Sequence, residues 1–188
     1  METNGWSVMG TDTIASEHMV AAIRAIGHDP HWVISRSKDH AKYFSIDTGI
    51  PNSSTDVNKA LKDPRVVFSY VNTILARRGY YIAAACAAGK HILCDGPISS
   101  SSKNARTLVA EVNRAGLVLA VNEPHRASTI HQAMRRLLLE GEIGKLQSLI
   151  VIRGSPSSHP QNEEAKRSAT RETCFSIFRS TTSTWRAF

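Results

Sequence analysis

The sequence predicts an α/β fold, a doubly wound parallel sheet with helices on both faces, and two observations carry that reading. Short β-branched runs alternate with segments of helical periodicity from the first residues onward. The run Val66 to Val71 is apolar almost throughout, as a strand covered on both faces should be. The 188 residues suffice for one domain with a core and part of a second.

The elements follow in order. Trp6 to Met9 reads as a first strand, closed by Gly10. Ala15, Met19, Ala22, Ile23 and Ile26 recur at helical spacing, and Gly27 ends that helix. His31 to Ser35 is a second strand, Lys38 to Phe44 a helix, and Asp56 to Lys62 another, stopped by Asp63-Pro64. After the Val66–Val71 strand, a helix spans Gly79 to Ala88, with Gly89 as its left-handed cap. His91 to Cys94 is a strand closed by Gly96-Pro97. Serines 99 to 102 offer caps for a helix that lines up Ala105, Leu108, Val109 and Val112. Leu117 to Val121 is a strand, Ser128 to Glu140 a helix, and Gly141 and Gly144 frame a turn into a strand from Leu146 to Ile152. From Ser155 to Phe188, Ser and Thr make up about a third of the residues, and little apolar periodicity remains. Such a stretch is expected to be mostly disordered, since it cannot bury enough surface to offset its ordering entropy.

Bulk properties narrow the function classes. Hydrophobic residues make up 41% and charged residues 21%, ordinary for a soluble globular protein. No apolar run approaches the roughly 18 residues that a membrane span needs, and Met1 to Gly10 lacks the pattern of a secretory signal. Cys86, Cys94 and Cys174 are odd in number and lack metal-ligand spacing, so free thiols in a reducing cytoplasm are expected, with no metal site. The net charge of +7 raises the question of nucleic acid. Its Lys and Arg are scattered, however, with no basic run interleaved by aromatics, so a basic solvated surface is expected instead.

The first strand-to-helix turn is Gly10-Thr11-Asp12-Thr13-Ile14-Ala15. A Rossmann-type dinucleotide fold wants Gly-x-Gly-x-x-Gly/Ala here: a tight turn, a close approach of backbone to the pyrophosphate, and a small residue where helix meets strand. Gly10 and Ala15 fit, and Thr11, Thr13 and Ile14 lie along the same turn, but Asp12 adds a carboxylate where phosphate oxygens should sit. Two like charges at ~4 Å cost about 1 kcal/mol in water and about 4 at an intermediate dielectric. A plain strand-to-helix turn explains these residues about as well. The second strand ends in Ser35-Arg36-Ser37. An acidic residue there would hold the ribose hydroxyl of NAD, whereas an Arg suits the 2′-phosphate of NADP. Exposed Arg is common at strand ends; together with the preceding turn it tilts the choice toward NADP.

The stretch Ala88-Gly89-Lys90-His91-Ile92-Leu93-Cys94-Asp95-Gly96-Pro97 resembles the Ala-Gly-Lys-His-Val-Leu-Cys-Glu-Lys-Pro motif of the glucose-fructose oxidoreductase/inositol dehydrogenase family, often called Gfo/Idh/MocA. Val121-Asn122 with Arg126 resembles that family's Val-Asn-x-x-x-Arg, and Gly141 to Gly144 its Gly-x-Ile-Gly turn. The resemblance runs from Trp6 to about Gly154. It implies NAD(P)-dependent oxidation or reduction of a sugar, polyol or similar carbonyl compound, with a homo-oligomer among the possibilities. It also implies cofactor contacts at Gly10, Thr11, Thr13, Ile14, Ser35, Arg36, Ser37, Thr73, Asp95 and Asn122. The family's lysine, which meets the reacting hydroxyl and helps place the nicotinamide, falls on Gly96. The cofactor-cleft stretch Ala-Thr-Pro-Asn-x-x-His becomes Asn72-Thr73-Ile74-Leu75-Ala76-Arg77-Arg78, in which only Thr73 survives of the named polar positions.

The expected organisation is therefore an NAD(P)-binding domain over 1–124, a connecting helix and first strand of a largely missing second domain over 125–154, and a tail over 155–188. His125, His131 and His159 read as surface residues, so no catalytic residue is assigned. Two function classes remain: an oxidoreductase that is impaired or inactive as a short chain, and a non-catalytic nucleotide-binding or interaction protein from a truncated gene.

Overall fold

The computed structural model describes residues 4–148, and the chain divides into two compact units at Pro124/His125. In the first unit, strands β1 (Gly5–Met9), β2 (Asp29–Ile34), β3 (Asn52–Ser54), β4 (Val66–Val71), β5 (His91–Asp95) and β6 (Leu119–Asn122) form one sheet. Its order is β3-β2-β1-β4-β5-β6, and every neighbouring pair is parallel. This is the doubly wound order: the chain builds outward from β1 to β3, then crosses back to lay β4 on β1's other side.

The helices are α1 (Val20–Ala25), entered through a π-helical turn over Ala15–Met19, α2 (Lys38–Thr48), α3 (Val57–Leu61), α4 (Leu75–Ala87) and α5 (Ser102–Arg114). Short polar residues start three of them. Ser37 Oγ accepts from the His40 amide, Asp56 from Asn58, and Ser101 Oγ from Asn104, each supplying an acceptor to a first-turn N–H that has none in the helix. The cap expected at Gly89 is present with φ +69°.

Two cores lie on the sheet's two faces because successive strand residues point opposite ways. Val8, Val33 and Tyr70 pack with Val20, Ile23 and Phe44, whereas their neighbours Met9, Ile34 and Val71 pack with Ile82, Ala85, Leu108 and Val112. Val8, Met9, Tyr70 and Val71 are all 0% exposed, so the middle of the sheet is buried on both faces as the apolar run in β4 predicted.

Several boundaries differ from the sequence reading. β2 starts two residues earlier, α2 runs on to Thr48, and α4 begins at Leu75 rather than Gly79. β3 was unforeseen: Asn52-Ser53-Ser54 has no β-branched residue, and it is a strand because it pairs with Trp32 to Ile34 at the sheet edge. The strand expected over Leu146 to Ile152 is not formed in its described part, 146–148, and the rest lies outside the described residues, as does the whole 155–188 tail.

A short helix α6 (Pro124–Ala127) stands at the unit boundary. In the second unit, α7 (Thr129–Leu139) ends in a turn with positive φ at Gly141 and Gly144, as the glycine spacing predicts. Among the described residues, no helix is long and apolar enough to cross a membrane.

Candidate functional site

The strand order puts a switch point between β1 and β4, and ligands of open α/β sheets bind beyond the carboxyl ends of the strands at such a point. Gly10 closes β1 there. Its N–H donates to the Ile34 carbonyl at 2.9 Å, and its φ is +120°. A Cβ on Gly10 would collide with the Asn72 carbonyl at the end of β4, so only glycine admits this approach of the two strand ends.

The sequence-derived site residues fall along this carboxyl edge in two groups. Thr11 and Ser35 face each other across the β1 and β2 ends, their hydroxyl oxygens 3.5 Å apart. Arg36 is exposed beside them, and Ser37 Oγ is engaged in capping α2. Thr13 and Ile14 are exposed on the first helical turn. At the other end, Asp95 and Asn122 are brought together: Asn122 Nδ2 donates to Asp95 Oδ1 at 2.8 Å, and the Tyr70 hydroxyl donates to Asp95 Oδ2 at 2.9 Å. Burial, and then the negative charge of Asp95, push the Tyr70 phenol far above its ordinary range, so it stays a donor. Burial also pushes the Cys94 thiol up to about 11, which leaves it unreactive at neutral pH.

Thr73 stands between the groups. Its Oγ1 is, among the described residues, the one buried side-chain oxygen or nitrogen without a hydrogen-bond partner. An orphaned buried hydroxyl is costly unless something meets it.

Four residues outside the sequence-derived site set shape the site. Asp12 does not merely face the crevice. Its Oδ1 accepts from the Ala15 amide at 3.0 Å and from Asn72 Nδ2 at 2.5 Å. Arg78 stands at the family's histidine position, and its guanidinium holds three carbonyls: Nε donates to Thr73 O at 2.9 Å, and Nη1 to Asp95 O and Pro97 O at 2.7 Å each. Glu123 fills the space left by the missing lysine side chain, since a Cβ on Gly96 would collide with its Oε1. Asn72 lies 5% exposed between Asp12 and Tyr70. A signal for Arg78 existed in the sequence, a long cation at a motif position, but not for its carbonyl partners, which only the folded turn assembles.

Fold and site together define a dinucleotide-binding domain of the doubly wound class. Residues 5–123 match the sequence profile of the Gfo/Idh/MocA oxidoreductase family, with its NAD-binding Rossmann fold, and the chain belongs to that family. It is 36% identical to the 1,5-anhydro-D-fructose reductase of Ensifer adhaerens over 142 residues, which are 76% of this chain and 43% of that protein. Against the trans-1,2-dihydrobenzene-1,2-diol dehydrogenase of Macaca fuscata fuscata it is 27% identical over 145 residues, again 76% of this chain and 43% of the relative. The structure superposes with TM-score 0.71 on KijD10, a 3-ketoreductase from Actinomadura kijaniata in complex with NADP and TDP-benzene. The identity is 25%, and the match covers 82% of this chain and 49% of that one. The matched part of the chain thus spans less than half the length of these relatives.

The site residues fit a dinucleotide on three observations: the glycine-only approach at Gly10, the paired hydroxyls of Thr11 and Ser35, and the unmet Thr73 Oγ1. The carboxylate of Asp12 is the contrary feature.

Proposed function

We propose that this polypeptide is the NAD(P)-binding half of an oxidoreductase acting on a sugar, polyol or similar carbonyl compound, with NADP preferred over NAD. The single observation behind the reading is Gly10 at the β1/β4 switch point, pressed against Asn72. A bound nicotinamide would supply or accept a hydride. Gly10 to Ile14 would line the pyrophosphate path, and Thr11, Ser35 and Ser37 the adenosine ribose. Arg36, exposed at the end of β2, would pair with a 2′-phosphate, which a guanidinium fork suits. Thr73 Oγ1 would gain the partner it lacks. Asp95 is held by Tyr70 and Asn122, so its part is to fix the floor of the site.

Turnover by these 188 residues is expected to be negligible. Gly96 presents no donor or charge to a substrate hydroxyl, and acid-base help of that kind is worth about 10²–10⁴-fold. The Glu123 carboxylate at that position favours a second reading, a non-catalytic nucleotide-binding protein. The free thiols Cys86 and Cys94 suit a cytoplasmic setting. Self-association is part of the proposal, since α7 exposes Ile130, Met134 and Leu137 along one side.

The test is fluorescence titration with NADPH and NADH, followed by assay against a panel of sugars and polyols. Binding of NADPH in preference to NADH is expected, and Arg36→Ala should erase about tenfold of that preference. Failure of the folded chain to bind either dinucleotide, shared by its folded Asp12→Gly variant, would end the reading. Steady oxidation of any panel member would end the claim of negligible turnover.

A further inference from the structure

The turn that should receive the pyrophosphate is already holding an anion. Asp12 Oδ1 accepts from the Ala15 N–H, in the first turn of the helix, and from the side-chain amide of Asn72. An amide N–H at a helix start and a side-chain amide aimed at the same oxygen are the donors a phosphate oxygen would use.

The backbone that carries Asn72 is held in place. Asn72 is 5% exposed, and its own N–H is bonded to the Met9 carbonyl at 2.8 Å. The close approach of Gly10 to the Asn72 carbonyl removes slack on the opposite side. The Asp12 backbone carbonyl accepts from the Ser16 amide at 3.2 Å, which fixes the stem from which the carboxylate reaches across. The carboxylate therefore ties the loop after β1 to the end of β4, across the mouth of the switch point.

We propose that Asp12 is an internal plug: its carboxylate takes the place of a ligand phosphate, and a dinucleotide enters only when the bonds to Ala15 and Asn72 break. The inference rests on the NAD(P)-binding reading above and adds a regulatory contact to that site. A tethered group competes at high effective concentration, so the affinity of an incoming phosphate falls by the fraction of time the turn stands open.

Plugging and simple charge repulsion predict different results. Repulsion needs only the charge; a plug also needs the anchor at Asn72. The experiment titrates NADPH and NADH into the 188-residue chain and into Asp12→Asn, Asp12→Gly and Asn72→Ala, with circular dichroism to verify folding. Asp12→Gly is expected to tighten binding about tenfold or more, and Asn72→Ala several-fold, although it keeps the negative charge. Asp12→Asn keeps the shape of the plug and should gain clearly less than Asp12→Gly. Should Asp12→Gly fail to fold, the gain in Asn72→Ala carries the test.

Equal gains in the two Asp12 variants, with Asn72→Ala unchanged or weaker, would replace the plug by repulsion. Micromolar binding by the unaltered chain that no variant improves would overturn the plug and leave the NAD(P) reading standing. Folded variants that all fail to bind either dinucleotide would overturn both.

Discussion

Asp63, on the turn between α3 and β4, accepts from the Trp32 indole at 2.8 Å and from Arg65 through its amide, Nε and Nη2 at 3.0, 3.0 and 2.7 Å. The Arg65 side chain, aided by Trp32 and working against partial burial, holds the Asp63 carboxyl well below its ordinary value of 3.8. A carboxylate with a depressed folded value adds stability that is complete above its unfolded value and is lost as pH falls toward the folded one. Asp63→Asn should thus cost about 1–3 kcal/mol near neutral pH. The gap to the unaltered chain should narrow below about pH 4. Urea unfolding of both proteins across that range measures it, and a gap independent of pH would refute the assignment. Tyr70→Phe is the companion case. It removes one of the two side-chain donors that the Asp95 carboxylate has among the described residues, at an expected cost of about 1–3 kcal/mol, read as a lower urea midpoint. No change would mean that Asp95 finds another donor.

At the scale of the element, the turn after β1 is the most constrained. Gly10→Ala puts a Cβ into the Asn72 carbonyl at φ +120°, and backbone strain alone should cost about 1–3 kcal/mol. A melting temperature lowered by several degrees is expected, and one within a degree of the unaltered chain would show that the two strand ends can separate. This turn was legible in the sequence because glycine leaves one mark for a tight approach whatever surrounds it. The strands were legible for a similar reason: apolar β-branched runs such as Val66 to Val71 report burial on both faces locally. β3 was not, because its Asn-Ser-Ser segment owes its conformation to a neighbour that lies about twenty residues away in sequence. The site divided along the same line. Gly10, Thr73 and Gly96 could be placed by motif, whereas the bonds of Asp12 to Asn72, of Arg78 to the Asp95 and Pro97 carbonyls, and of Asp95 to Tyr70 and Asn122 join residues far apart in sequence. The first turn of α4, Leu75 to Arg78, is not marked in the sequence because it follows no capping residue; Ile74 offers its start no side-chain bond.

At the scale of the whole molecule, α7 buries none of its residues, and Ile130, Met134 and Leu137 are 70%, 48% and 40% exposed. Apolar surface of this kind favours association. Sedimentation velocity over a range of concentration should find species heavier than one chain of 20.6 kDa, reduced by Ile130→Lys with Met134→Lys. A monomer at every concentration would remove self-association from the proposal. The strand order has a further consequence, for synthesis. β1 leaves the ribosome before any other strand of this sheet, yet it acquires its second neighbour only when β4 is completed at Val71, after both β2 and β3 have emerged. Until then Val8 and Met9 have a hydrogen-bonding edge with no strand on it, in a segment that the finished fold buries completely. An unpaired apolar edge is what holding chaperones and aggregates both recognise. Nascent chains arrested before Val71 should therefore be chaperone clients, and those released after β6 has emerged should not.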